Sequence, residues 1–275
     1  MSSELKLETV SAGLRKIAVP SPTLPPATHT NSWILGEDGS CIVVDPAAHV
    51  PSVQEAHVAL LKSVSPTAIL LTHHHRDHIA GAKALQAHFD IPIWAHENNK
   101  PLIPHEINRT LDDEEILSFG SRRWRVLFTP GHAPGHIALL DDQSGDCICG
   151  DLVAGVGTIV LNPPEGNLQE YLDSLALLID EQVTVLHPAH GPSIQNAIAY
   201  LQHYIDHRNH RTAQMKECLS HQPITVVEIA NQIYPEHIGS PVLVIAGRQI
   251  CCHLEWLQSN GQAIKTDSGW ISTAG

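Results

Sequence analysis

Between Thr72 and Ile79 the chain reads T-H-H-H-R-D-H-I, with four histidines and an aspartate inside six residues. Neutral imidazoles and carboxylate oxygens are the donor set of zinc, and iron or manganese can use the same groups. The run follows a short apolar stretch, Ala68–Leu71. A strand that has just ended presents alternate residues to one side, which brings His73 and His75 together. Asp77 and His78 then begin the next helix and can turn back toward the same space. His74 is out of phase and is expected to be structural. Four ligands can seed two metal sites but cannot fill them. Further candidates lie at strand ends: His132 and His136 in "TPGHAPGH", Asp151 in "CICGD", and His187 and His190 in "HPAHGP". No H-E-x-x-H helix is present, and the cysteines lack the paired spacing of a zinc knuckle.

The elements that must position these groups follow from the hydrophobic pattern. Strands are expected at 14–19, 31–36, 41–46, 68–72, 91–96, 122–130, 136–142, 146–151 and 183–188. Helices are expected at 52–64, 78–89, 168–182 and from about 193. Mixed strands and helices of this kind give an α/β class with layered sheets. Near residue 205 the pattern changes to three helices and a short hairpin. Thr225 and Glu228 form a capping-box signature for the second helix. The third helix is expected over 248–261, followed by strands on either side of Asp267-Ser268-Gly269. The reading is a catalytic domain over 1–205 and a small winged-helix-like domain over 206–275.

The 275 residues carry a formal charge of -13, with 43% hydrophobic and 16% charged residues. This is a globular composition, and its field repels nucleic acid at long range. The N-terminus has no apolar core of a signal peptide, and no apolar run reaches membrane-span length. The six cysteines are scattered and suggest free thiols in a reducing compartment, so the expected location is cytoplasmic.

The runs "THHHRDH", "TPGHAPGH", "CGD" and "HPAHGP", in this order, resemble the metallo-β-lactamase superfamily. The resemblance implies a four-layered αββα sandwich with metals at the edge between the sheets. It also implies that His73, His75 and His132 hold one metal, that Asp77, His78 and His190 hold a second, and that Asp151 bridges them. His190 is preferred to His187 because "AHGP" fits the family's G-H-G-P run. "NPPEGNLQEYLDSLALL", "HRNHR" and the tail are most similar to the lactamase-β-two-like group. Cys149, Asn167 and "DPAA" depart from that group's commoner residues, but none is a ligand.

The implied chemistry is a dinuclear hydrolase with two Zn2+ per chain (Mn2+ or Fe as alternatives) and a hydroxide bridging them. Asp77 is the candidate catalytic group, orienting the hydroxide or moving its proton. Asp45 and His136 are expected to fix imidazole orientation from behind. The expected substrate is a thioester or other small acyl compound. The rival readings are an endoribonuclease on single-stranded RNA and a non-catalytic, metal-stabilised nucleic-acid-binding regulator. A full ligand set normally serves chemistry, which argues against the regulator, and the third tail helix with the acidic net charge argues against the ribonuclease. That helix offers Arg248 beside Cys251, Cys252, Leu254, Trp256 and Leu257, where a reading helix needs a cationic face. The tail is therefore expected to pack on the catalytic domain, shape the pocket, or form a homodimer.

Overall fold

The computed structural model describes residues 5–237 and 242–273. Its first sheet has seven strands in chain order: β1 (Glu8–Ser11), β2 (Leu14–Pro20), β3 (His29–Glu37), β4 (Ser40–Val44), β5 (Ala68–Leu70), β6 (Ile93–His96) and β7 (Arg109–Leu111). The pairings from β1 to β4 are antiparallel and those from β4 to β7 parallel. The second sheet contains β8 (Ile116–Phe119), β9 (Arg122–Phe128), β10 (Ile137–Leu140), β11 (Asp146–Gly150) and β12 (Val185–Pro188), in the order β12-β11-β10-β9-β8.

Alternation along the strands builds the layers. On one face of the first sheet, Trp33, Leu35, Ile42, Val44 and Leu70 meet Trp124, Val126, Ile137, Leu139 and Ile148 of the second sheet. On its other face, Ile34, Cys41, Val43 and Ile69 pack with Leu61 and Leu85 of helices α1 (Pro51–Leu61) and α3 (Ala82–Phe89). The outer face of the second sheet puts Leu127, Ala138, Leu140 and Cys147 against Tyr171, Leu175 and Leu201 of α4 (Leu168–Asp180) and α5 (Ala197–Cys218). Both faces of each sheet are thus covered, so central strands such as Cys41–Val44 are apolar at every position. The result is the expected αββα sandwich.

Three strands carried no legible signal: β1, β7 and β8 are short and lie at sheet edges. The helix expected over 78–89 is two helices, α2 (Arg76–Ile79) and α3. The break falls at Gly81, where a Cβ would stand 2.2 Å from the Pro46 carbonyl oxygen. Its amide donates to that same oxygen at 2.6 Å. This close approach ties the start of α3 to the loop that carries Asp45.

The tail consists of the end of α5, α6 (Val226–Ile233), α7 (Val242–Ser259) and a hairpin of β13 (Ala263–Thr266) and β14 (Gly269–Ser272). The Thr225–Glu228 capping box is formed. The third helix begins earlier than expected, and the 205/206 boundary falls inside α5. Its capping and its own small core of Met215, Ile229, Ile250, Leu254 and Trp270 hold the tail together. Cys252 of α7 is buried in the core under the second sheet. Trp256 Nε1 donates to Gln169 Oε1 on α4 at 2.9 Å. No helix of the described residues is long and apolar enough to cross a membrane.

Candidate metal centre

Two backbone bridges fix the edge where the sheets meet. Ile137 N–H, at the start of β10, donates to Thr72 O just beyond β5 at 3.0 Å, and Asn31 N–H on β3 donates to Ala189 O just beyond β12 at 2.7 Å. Asn31 Nδ2 adds bonds to Pro188 O and Gly191 O. The loops that leave β5, β9, β11 and β12 therefore emerge side by side, carrying His73–His78, His132, Asp151 and His190.

Fixed acceptors set the imidazole tautomers. His132 Nδ1 can only donate to Val160 O at 2.9 Å, and His190 Nδ1 likewise to His29 O at 3.0 Å. His78 Nδ1 donates to Asp45 Oδ2 at 2.8 Å. The Thr72 hydroxyl donates to Asp45 Oδ2 at 2.7 Å, so it accepts from His73 Nδ1 at 3.1 Å. With a proton on Nδ1, each neutral ring turns an Nε2 lone pair toward the cluster, that of His190 also lying 3.3 Å from the Thr23 hydroxyl.

These bare nitrogens converge. His73 Nε2 and His132 Nε2 each lie 3.0 Å from His75 Nδ1. His190 Nε2 stands 3.5 Å from Asp77 Oδ2 and 3.3 Å from Asp151 Oδ1, and His78 Nε2 and His132 Nε2 both stand 3.5 Å from Asp151 Oδ2. Donor atoms of His73, His75 and His132 form one compact group, those of Asp77, His78 and His190 another, and Asp151 joins His73 and His78 in a third. His78 Nε2 and Asp151 Oδ1 are buried without a hydrogen-bond partner among the described residues. Imidazole nitrogens and carboxylate oxygens crowded at these distances fit divalent cations.

The electrostatics separate the two groups. Burial, helped by the neighbouring rings, pushes His132 down to about 3 and His73 well below its ordinary value. In the second group burial is outweighed by the carboxylates. Asp151 and Asp77 push His190 up to about 10, and Asp151 and Asp45 raise His78. Burial alone would raise the Asp77 carboxyl, but His190 and His78 hold it well below the usual range. The second group thus demands positive charge.

Asp45 does hold an imidazole from behind, and it also accepts from Thr72 N–H at 2.8 Å. His136 acts differently from expectation. Its Nδ1 donates to Thr129 Oγ1 at 2.8 Å, and its Nε2 accepts the Asp151 backbone N–H at 3.0 Å. Its hydrogen bonds serve the peptide of a carboxylate, while its ring packs beside that of His73, with centroids 5.2 Å apart. Gly150, at φ +48, is required there, because a Cβ would meet His136 Nε2 at 2.6 Å. His187 turns away from the cluster, to Ser193 Oγ at 2.8 Å and Asp146 Oδ1 at 3.2 Å. His74 Nε2 binds Glu165 Oε2 at 3.2 Å, and the same oxygen lies 3.6 Å from His75 Nε2. Sequence reasoning missed Glu165, Thr72 and Thr129, since no local pattern marks a residue that acts through another.

The cluster forms the floor of a cavity of about 320 Å3. Its walls are Pro22–Ala27, the 154–162 stretch, and Ile245 and Arg248 of α7.

A family model described as the metallo-beta-lactamase superfamily matches residues 25–190. A beta-lactamase-like protein 2 homolog of Caenorhabditis elegans is 28% identical over 241 residues, covering 84% of this chain and 79% of the relative. This likeness supports the lactamase-β-two-like group. A hydroxyacylglutathione hydrolase of Aeromonas hydrophila subsp. hydrophila is 33% identical over 179 residues, covering 64% of this chain and 67% of its own. The crystal structure of a metallo-beta-lactamase family protein from Thermus thermophilus shares the fold, with TM-score 0.82 at 22% identity over 96% of this chain and 100% of its own. With the sandwich, the gathered donors and a family match over more than half its length, the chain belongs to the metallo-beta-lactamase superfamily and is a metal-dependent hydrolase.

Proposed function

We propose that the protein hydrolyses thioesters or related small acyl esters, using two divalent cations of which zinc is the first candidate. The observation that carries the reading is the floor of the cavity, where bare imidazole nitrogens and the carboxylates of Asp77 and Asp151 face a small space. The walls are mostly apolar, including Leu24, Pro25, Ala154, Val156, Ile159 and Ile245, which suits an acyl chain better than a polyanionic strand. The Aeromonas relative, named for hydrolysis of an acyl-glutathione, supports the same class.

His73, His75 and His132 would hold one cation, Asp77, His78 and His190 the other, and Asp151 would lie between. When bound, such cations supply Lewis acidity, polarising an acyl oxygen and letting water act as a nucleophile near neutral pH. Asp77 Oδ2, ionised and facing the cavity, orients the attacking water and relays its proton toward the leaving sulfur. Water adds to the acyl carbon, the carbon–sulfur bond breaks, and sulfur leaves with its electron pair and takes up the proton relayed by Asp77. Asp45 and Thr72 hold His78 and His73 in the required tautomers, while His136 fixes the peptide that aims Asp151.

Residues 206–275 serve as a winged-helix-like accessory unit that completes the cavity through Ile245 and Arg248. The test is a hydrolysis panel of thioesters, lactones, phosphodiesters and single-stranded RNA with metal-loaded protein. Thioesters should be turned over fastest, with Asp77→Asn at least about a hundredfold slower. Cleavage of RNA with no turnover of any acyl compound would refute the reading.

A further inference from the structure

A second cavity of about 530 Å3 adjoins the catalytic one and shares with it Pro25, Gly157, Thr158 and Ile245. Its wall is the α5 face that carries the "HRNHR" run, together with α7. In a chain with formal charge -13, this cavity has no carboxylate among its lining residues, and it holds two arginines, Arg208 and Arg211, and three histidines.

Arg208 is 3% exposed, its guanidinium lies 5.1 Å from the Tyr171 ring centroid, and none of its partners among the described residues carries a negative charge. Its Nη1 donates to Gln249 Oε1 at 3.1 Å and its Nη2 to Ile159 O at 2.6 Å. Its Nε is buried with no partner among the described residues. Buried guanidinium is normally paired with an anion, because removing it from water is costly. Arg211 is half-buried and also has no carboxylate partner among the described residues. It bonds Gln214 Oε1 at 2.8 Å and lies 4.7 Å from the Tyr234 ring centroid. Burial first, then the charges of Arg208, His207 and Arg211, push His253 down to about 3, as expected of an imidazole in a positive field. Arg248 adds a third cation on the catalytic side of the shared wall and forms no ion pair among the described residues.

We propose that this second cavity binds the phosphoryl groups of the thiol carrier, so that the substrate is an acyl thioester whose leaving thiol bears phosphate. The acyl group lies in the apolar first cavity, and the carrier crosses the shared wall to Arg208 and Arg211. A guanidinium pair matches phosphate oxygens by geometry as well as charge. This inference rests on the thioester reading above, so its test includes an arm independent of turnover.

Adenosine 3′,5′-bisphosphate serves as the binding probe, measured by calorimetry on the wild-type protein, Arg211→Met and Arg208→Lys. Turnover is compared between S-acetyl coenzyme A and S-acetyl-N-acetylcysteamine, which share the acyl group. The expected results are bisphosphate binding that Arg211→Met weakens at least tenfold, and a kcat/KM preference for the phosphorylated thioester that the same variant removes. Turnover of the small thioester should be unchanged in Arg211→Met. Bisphosphate binding without any thioester turnover would keep the anion site and sink the thioester reading. No binding, or Arg211→Met lowering both thioesters equally, would overturn the site. A single-stranded oligoribonucleotide that displaces the bisphosphate and is itself cut would overturn the small-carrier assignment.

Discussion

Asp45→Asn should disable the metal centre without touching any proposed ligand. Asp45 sits at φ +50, a conformation that asparagine tolerates as readily as aspartate, so the backbone should hold. Asn Oδ1 can still accept the Thr72 N–H. The other position becomes an NH2 group, which faces two donors, the Thr72 hydroxyl and His78 Nδ1–H. Both must turn round. His78 then carries its proton on Nε2, toward the cluster. The Thr72 hydroxyl, now an acceptor from the amide, donates to His73 Nδ1 and moves that ring's proton to Nε2 as well. Two of the bare nitrogens are thereby blocked. A lost partner behind one ligand typically costs 10–100-fold in metal affinity. With both metal groups touched, the loss should approach about a hundredfold, or about 2.7 kcal/mol. Competition against a chromophoric chelator measures it, with circular dichroism as the check on folding. A folded variant that binds metal within about twofold of the wild type would refute the tautomer argument.

Metal analysis after zinc or manganese add-back should give about two cations per chain, and a value that stays below one would sink the dinuclear reading. His190→Ala should sharply cut turnover and weaken metal binding, whereas His187→Ala should mainly lower stability, by about 1–3 kcal/mol, through its buried bonds to Ser193 and Asp146. The reverse outcome would show that the wrong histidine faces the metals. His57 on α1 is fully buried, neither ring nitrogen has a hydrogen-bond partner among the described residues, and burial pushes it down from 6.5 to about 4. The unfolded chain therefore binds the extra proton between those values, and stability falls as pH drops from 6.5 toward 4, by about 3 kcal/mol for this group. Denaturant unfolding at pH 7 and pH 4 should show that loss reduced in His57→Leu, and equal acid sensitivity would refute it. A chain ending at Tyr204 should aggregate or lose activity, because it cuts α5 and strips away α7, whose Cys252 lies in the main core; a soluble, fully active product would contradict this.

The sequence alone determined the kind of chemistry. Imidazoles and carboxylates clustered beyond a short apolar strand have few uses other than metal, and their order along the chain is local enough to read. Alternation and apolar runs likewise carried most of the central strands and helices, because burial on both faces leaves a continuous apolar signature in Cys41–Val44 and Ala68–Leu71. Only the tertiary structure decided which nitrogen of each ring faces the cluster. That choice depends on acceptors distant in sequence, such as Val160 for His132 and His29 for His190. It also showed that the His136 hydrogen bonds serve the Asp151 peptide, and that Gly81 divides an apparently continuous helix because the loop beside Asp45 passes too close for a side chain. The arginines of "HRNHR" were visible as letters, but their lack of an anionic partner among the described residues was not, since pairing of a buried charge is settled by what the fold places beside it.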